Sequence, residues 1–245
     1  MGLYDSIGTT YSAVRVEDPR IAAQIHDGLG PGHRILNVGA GTGSYEPLDR
    51  TVVAVEPSPV MIAQRPAGSA PVLQATAEAL PLRSATFDVA MAVLTVHHWS
   101  DRRAGLAELA RVARQVILYF EPLVATRYWL LDYFPEVADS AIELEAPGRA
   151  EIAEVLTVGE VRRVLVPPDC TDGFAAAYWA RPEAYLDRTV QAGMSAMATM
   201  DDRLRRAGIE RLRADLVSGG WDERYGHLRT APSFDGGYRL AICHS

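Results

Sequence analysis

A chain of 245 residues with 48% apolar content and a net charge of −7 has material for one large domain with a buried core. The acidic balance argues against nucleic acid, which is bound through clustered cations, and no window approaches the roughly 18 uninterrupted apolar residues of a membrane span. All 24 basic residues are arginine, which excludes a lysine Schiff base and the lysine of a phosphate-binding P-loop. Two cysteines, Cys170 and Cys243, give neither a disulfide framework nor metal-ligand spacing. The opening Met1-Gly2-Leu3-Tyr4-Asp5 lacks a basic and apolar leader, so a reduced, cytoplasmic protein is expected.

Residues 1–30 read as an N-terminal segment carrying Tyr4 and Tyr11, then a helix. Its stripe of Ile21, Ala22, Ile25 and Leu29 would dock beside the first strand. That strand, Ile35-Leu36-Asn37-Val38, is stopped by Gly39-Ala40-Gly41-Thr42-Gly43, whose glycines let a ligand approach the main chain directly. A second apolar run, Thr51 to Val55, ends at Glu56. A carboxylate at the tip of a second strand can accept both hydroxyls of a ribose, which points to a nucleoside-containing cofactor. Pro59 to Ala63 starts a short helix, and a third strand, Val72 to Ala75, runs into Thr76-Ala77-Glu78. The fourth strand, Asp88 to Leu94, is apolar on both faces, as in a central parallel strand, and ends at Thr95-Val96-His97-His98-Trp99. A helix from Arg102 to Arg114 leads to strand five, Gln115 to Phe120, ending at Glu121-Pro122. This alternation predicts an α/β fold, a doubly wound and mostly parallel sheet with its ligands at the carboxyl ends of the strands.

Beyond Pro122 the composition changes. Ten of the 19 aromatic residues fall between Tyr119 and Tyr185, partly as the pairs Tyr128-Trp129, Tyr133-Phe134 and Tyr178-Trp179. Tyr128 to Glu136 is expected to form a helical lid, with Trp129, Asp132, Tyr133, Tyr178, Trp179 and Tyr4 facing a substrate. Stacked rings would orient a flat, largely apolar acceptor, although aromatics at helical spacing equally suit a core. Val161 to Val166 is expected as strand six, stopped by Pro167-Pro168, and Tyr238 to Cys243 as the last strand. The interval from Asp172 to Asp235 is too long for a hairpin loop and predicts helices inserted above the sheet. The arginines of Arg203-Leu204-Arg205-Arg206 interleave with Asp201, Asp202 and Glu210, as on a solvated helix face. Residues 1–30, 31–122 and 123–245 are thus expected as lid segment, cofactor core and lid-bearing remainder of one structural unit.

The glycine order separates two cofactor classes. Gly39-x-Gly41-x-Gly43 puts Ser44 where a dinucleotide fold carries its third glycine. Together with Val55-Glu56-Pro57-Ser58, Ala77-Glu78-Ala79-Leu80-Pro81-Leu82 and Phe87-Asp88, it resembles class I S-adenosylmethionine-dependent methyltransferases over roughly residues 33–122. The resemblance is to small-molecule enzymes, those of bacterial secondary metabolism and of the ubiquinone and menaquinone type. It implies a seven-stranded Rossmann-like sheet and S-adenosylmethionine as cofactor, with S-adenosylhomocysteine as product. The implied cofactor contacts are Tyr11, Asn37, Gly39, Ala40, Gly41, Gly43, Glu56, Pro57, Met61, Thr76, Ala77, Glu78, Leu94 and Thr95. Tyr11 would face the sulfonium or pack the N-terminal helix. Two positions depart from the family pattern. Asn37 stands where an acidic residue commonly meets the methionine ammonium, and Thr76 where an aspartate precedes the alanine of the adenine turn.

Methyl transfer needs a nucleophile held in line with the S–CH₃ bond, so positioning should dominate. His97 and His98, at the tip of strand four, are the expected catalytic bases, with one of them facing the substrate. Glu121 and Asp132 are weaker candidates. No carboxylate grouping suggests a magnesium site, so no metal is expected. The expected partner is a small acceptor, phenol-like for oxygen methylation or indole-like for methylation at carbon 3. Neither nucleic acid nor membrane is expected, and a homodimer stays open. A Rossmann dehydrogenase and a non-catalytic adenosylmethionine-binding subunit remain as rival classes.

Overall fold

The computed structural model describes residues 16–120, 128–138 and 148–244. The expectations for Tyr4, Tyr11 and Glu121 lie outside these residues. In chain order the elements are α1 (Pro19–Gly28), β1 (Arg34–Val38), β2 (Thr51–Val55), α2 (Pro59–Ala63), β3 (Val72–Leu73), β4 (Val89–Val93), α3 (Arg102–Val112) and β5 (Arg114–Phe120). There follow α4 (Leu130–Tyr133), α5 (Arg149–Ala153), β6 (Thr157–Arg163), α6 (Arg188–Ala192), α7 (Ser195–Thr199), α8 (Asp202–Ser218), α9 (Gly220–Tyr225) and β7 (Tyr238–His244). The strands make one seven-stranded sheet in the order β3-β2-β1-β4-β5-β7-β6. Its first five strands are parallel, and β7 enters antiparallel between β5 and β6.

Alternation along the central strands builds two cores. Ile35, Val89, Met91 and Val116 face α1 and the aromatic C-terminal half, while Leu36, Val38, Ala90, Ala92 and Ile117 face α3 and α5. Asp18 caps α1 by accepting from the Arg20 N–H, and Pro19 opens the helix, where a missing N–H costs nothing. Gly28 brings this helix close to the sheet, since a Cβ there would stand 2.9 Å from Leu240 Cδ2.

Two expectations are corrected. Strand six is Thr157–Arg163, starting four residues before the expected Val161 and ending three before Val166, which makes an isolated bridge to Phe234. It is an edge strand, which needs no two-sided apolar pattern, so Thr-Val-Gly-Glu-Val-Arg-Arg suffices. The segment expected as a lid helix from Tyr128 to Glu136 is one α-turn, α4, and a 3₁₀ turn at Pro135–Val137. Pro135 drives Phe134 out of the helical region (φ −133°, ψ 66°). Separately, the 12 residues joining β1 to β2, numbers 39–50, hold only turns, although parallel neighbours are usually linked through a helix. Only seven residues separate Gly43 from Thr51, and Pro47 sits among them.

Candidate cofactor cleft and active site

The parallel strands β1, β2 and β4 end on one side of the sheet, and a cleft opens there. It is lined by Asn37, Gly39, Ala40, Gly41, Glu56, Pro57, Met61, Thr76, Ala77, Glu78, Leu94, Thr95 and His98, all expected from the sequence. Gly43 and His97 are not among its lining residues. Thr42, Ser44, Tyr45, Val93, Trp99 and Ser100 also line it, and the sequence pattern had given none of these a role.

The glycine loop is held by main-chain and carboxylate contacts in place of a helix. Gly39 N and Ala40 N donate to Val55 O at 2.9 and 3.0 Å, which pins the loop to the end of β2. Gly39 (φ +69°) and Gly41 (φ +52°) occupy the left-handed region open to glycine. A Cβ on Gly39 would also lie 2.0 Å from Thr95 Oγ1, so the tips of β1 and β4 touch through this residue. Glu56 is 6% exposed; its Oε2 accepts from Gly41 N at 2.8 Å and its Oε1 from Ser58 N at 2.9 Å. A carboxylate oxygen can accept more than one hydrogen bond, so this group suits a ribose diol as well as the loop it holds. Ser58 in turn caps α2 and so presents Met61 beneath the loop. A buried carboxylate at the strand tip and a loop with no side chain at its two closest points fit a nucleoside cofactor.

Tyr45, adjoining the loop, is left-handed (φ 66°), a conformation that costs a non-glycine residue about 1–2 kcal/mol. Three bonds offset the strain. Its N–H donates to Glu17 Oε2 at 2.6 Å, its carbonyl meets His26 Nε2 at 3.0 Å, and its hydroxyl donates to the buried Asp172 at 2.6 Å. Leu94, at the tip of β4, is a second strained residue (φ 50°).

Glu78, which lines the cleft, has a second set of contacts. Its Oε1 accepts from Ser100 N (2.8 Å), Ser100 Oγ (2.9 Å) and Asp101 N (3.3 Å). Burial raises its pKa, but these bonds outweigh the burial and the net shift is downward. The residue thus tethers the adenine turn to the turn carrying the histidines. Of those, His98 lines the cleft; the two rings stand 3.8 Å apart at 52°. Gly105 makes room for the neighbouring Trp99, since a Cβ there would lie 2.4 Å from its ring.

The aromatic candidates lie elsewhere. Trp129, Tyr133 and Trp179 are at most 3% exposed and belong to the core of the C-terminal half. Trp129 Nε1 donates to Trp179 O at 2.8 Å and meets Trp221 edge-on at 5.3 Å. Trp179 stacks on Phe234 at 5.4 Å and donates to Val166 O at 3.1 Å. Tyr178 is half-buried under the Arg181 guanidinium, and exposed Asp132 accepts from Tyr225. None of the five lines the cleft. Rings this large bury most area against one another, so the aromatic pairs became packing. Burial, together with a hydrogen bond to Asp215, raises the Tyr133 phenol, and burial raises Tyr128 and Tyr185, so all three are neutral near pH 7. Among the described residues no group of three or more His, Cys, Asp or Glu could hold a metal ion, and no helix is long and apolar enough to cross a membrane.

Fold and cleft together define an α/β protein built to hold a nucleoside cofactor at its strand tips. Known proteins narrow the class. The sequence pattern of the methyltransferase domain matches residues 36–120. A crystal structure from Anabaena variabilis ATCC 29413, provisionally described as a methyltransferase from an antibiotic biosynthesis pathway, shares 34% identity. The match covers 95% of this chain and 99% of that one, with a TM-score of 0.88. The methyltransferase YcgJ of Bacillus subtilis (strain 168), itself uncharacterized, is 32% identical over 94 residues, 34% of this chain and 37% of its own. The O-methyltransferase rstn1 of Aspergillus nomiae is 33% identical over 116 residues, 41% of this chain and 52% of its own. The chain thus spans about a third to a half of the length of these curated relatives. It belongs to the class I S-adenosylmethionine-dependent methyltransferases.

Proposed function

We propose that this chain moves a methyl group from S-adenosylmethionine to a small natural-product acceptor, with a phenol-like hydroxyl as the preferred nucleophile. The observation that carries the reading is the cleft uniting the glycine loop, buried Glu56, the Leu94–Thr95 tip and His98. When bound, the cofactor supplies an electrophilic methyl group on a sulfonium sulfur. In this reading Glu56 takes the ribose hydroxyls, Asn37 the ammonium, and the Thr76–Ala77 turn the adenine. His98 accepts the hydroxyl proton as the acceptor oxygen attacks, a role worth about 10²–10⁴-fold where the nucleophile must lose a proton. Held geometry supplies the larger share, up to roughly 7–11 kcal/mol.

The antibiotic-pathway description of the Anabaena protein and the O-methyltransferase name of the Aspergillus relative support a small acceptor and oxygen as its nucleophile. Along α8, Arg205 and Arg206 pair with Asp202, and Arg213 with Glu210, which favours a solvated face over a nucleic-acid surface. The test is incubation with labelled S-adenosylmethionine and a panel of phenols and indoles, read by mass. Oxygen-methylated products are expected. Products methylated only at indole carbon 3 would reassign the acceptor atom, and adenosylhomocysteine binding without turnover on any acceptor would favour a non-catalytic subunit.

A further inference from the structure

The departure at position 37 is answered elsewhere in the chain. Asn37 Nδ2 donates to Glu46 Oε1 at 3.1 Å, and Glu46 accepts both bonds of Arg65 Nη2, at 2.9 and 2.8 Å. The ion pair is enclosed, with side chains 4% and 8% exposed, and Arg65 Nη1 reaches Gly41 O at 3.3 Å. Glu46 lines the groove behind the glycine loop, whereas Asn37 lines the cofactor cleft in front of it. An amide carries its donor and its acceptor on opposite sides. With Nδ2 committed to a carboxylate behind the loop, Oδ1 is the atom left for the cleft. A carbonyl oxygen there accepts from an ammonium and repels a carboxylate.

We propose that Glu46, locked by Arg65, is a positioning residue that fixes the Asn37 amide with its oxygen toward the cofactor's ammonium group. Asn37 then replaces the family's acid at that place, and the buried Glu46–Arg65 pair holds the loop that has no helix behind it. The inference rests on the proposed cofactor and adds a residue 19 positions from Arg65 with no contact to the cleft itself.

The experiment titrates S-adenosylhomocysteine and 5′-methylthioadenosine, which lacks the amino-acid portion, into the full chain and its variants. In Glu46→Gln, Arg65 claims the oxygen of the introduced amide, the amine of that amide faces Asn37, and the Asn37 amide turns over. Adenosylhomocysteine affinity should fall about tenfold or more, the scale of a hydrogen bond to a charged group, while methylthioadenosine affinity stays within about twofold. Asn37→Asp combined with Glu46→Gln should recover adenosylhomocysteine affinity to within about threefold of wild type, since an acid accepts in either orientation. Should Glu46→Gln fail to fold, Glu46→Leu with Arg65→Met removes the whole buried pair, a change that often leaves stability intact. There both ligands should weaken as the loop loses Arg65, with the larger loss for adenosylhomocysteine. Unchanged adenosylhomocysteine affinity, an equal loss for both ligands, or no recovery in the double variant would each overturn the role of Glu46. A wild-type chain that binds neither ligand would overturn the proposed function, and with it the ligand assigned to Asn37.

Discussion

The strand-tip loops and the aromatic C-terminal half were both rich in signal, yet their signals differ in kind. In residues 35–58 the signal is backbone: glycines at left-handed positions and a carboxylate at a strand end, each tied to a place in the fold by geometry. In residues 128–138 and 174–234 the signal is composition, and large rings serve a core as well as a pocket. Trp129, Trp179, Tyr185 and Trp221 pack together in the core of the C-terminal half. Residues that specify a backbone conformation predict a place in the fold far better than residues that supply surface area.

The sharpest way to break this contrast is Trp179→Ala. The ring is fully buried, stacked and hydrogen-bonded, so its loss should cost about 3–5 kcal/mol in denaturant unfolding. Protein still folded should bind adenosylhomocysteine as wild type does; weakened binding without loss of stability would return Trp179 to the site. Next comes the histidine pair. His98→Ala should lower turnover about 10²–10⁴-fold with cofactor affinity kept, and should lack the acid limb of the wild-type pH profile. His97→Ala should lose less than about tenfold, because His97 does not line the cleft. Equal losses in the two would show that the turn, rather than one ring, is what matters.

A smaller effect tests the joint between the two regions. Asp18 accepts from Arg20 and from Thr171 N, and chiefly the Arg20 guanidinium beside it holds its carboxyl down at about 2, from 3.8. A folded pKa below the unfolded one contributes stability above the unfolded value, and that contribution is lost as pH falls toward the folded value. Asp18→Asn should therefore cost about 2 kcal/mol at pH 6, and the gap to wild type should roughly halve by about pH 3. A gap independent of pH would mean that the carboxylate charge contributes nothing.

Strands β1 to β5 and most of the cleft were legible because their determinants are local. An apolar run, a glycine stop and a polar tip lie within a dozen residues. Edge strand β6 was misplaced because an edge relaxes the very pattern used to find strands. The loop's supports were beyond reading for another reason. Tyr45 meets Asp172 across 127 positions, and Glu46 meets Arg65 across 19, with no periodicity linking either pair. Glu78 lines the cleft, and its further bond to Ser100, 22 residues on, had no pattern in the sequence to announce it.

The most direct test of the account compares two variants by the same two measurements, adenosylhomocysteine titration and thermal unfolding. Glu56→Ala, at the strand tip, should lose about 1.5–3 kcal/mol of binding, the worth of hydrogen bonds to a charged group. Its unfolding should change far less than that of Trp179→Ala, which in turn should keep its affinity. The opposite pattern, with Glu56→Ala binding normally and Trp179→Ala losing affinity while folded, would place the cofactor or acceptor site in the aromatic half and contradict the account.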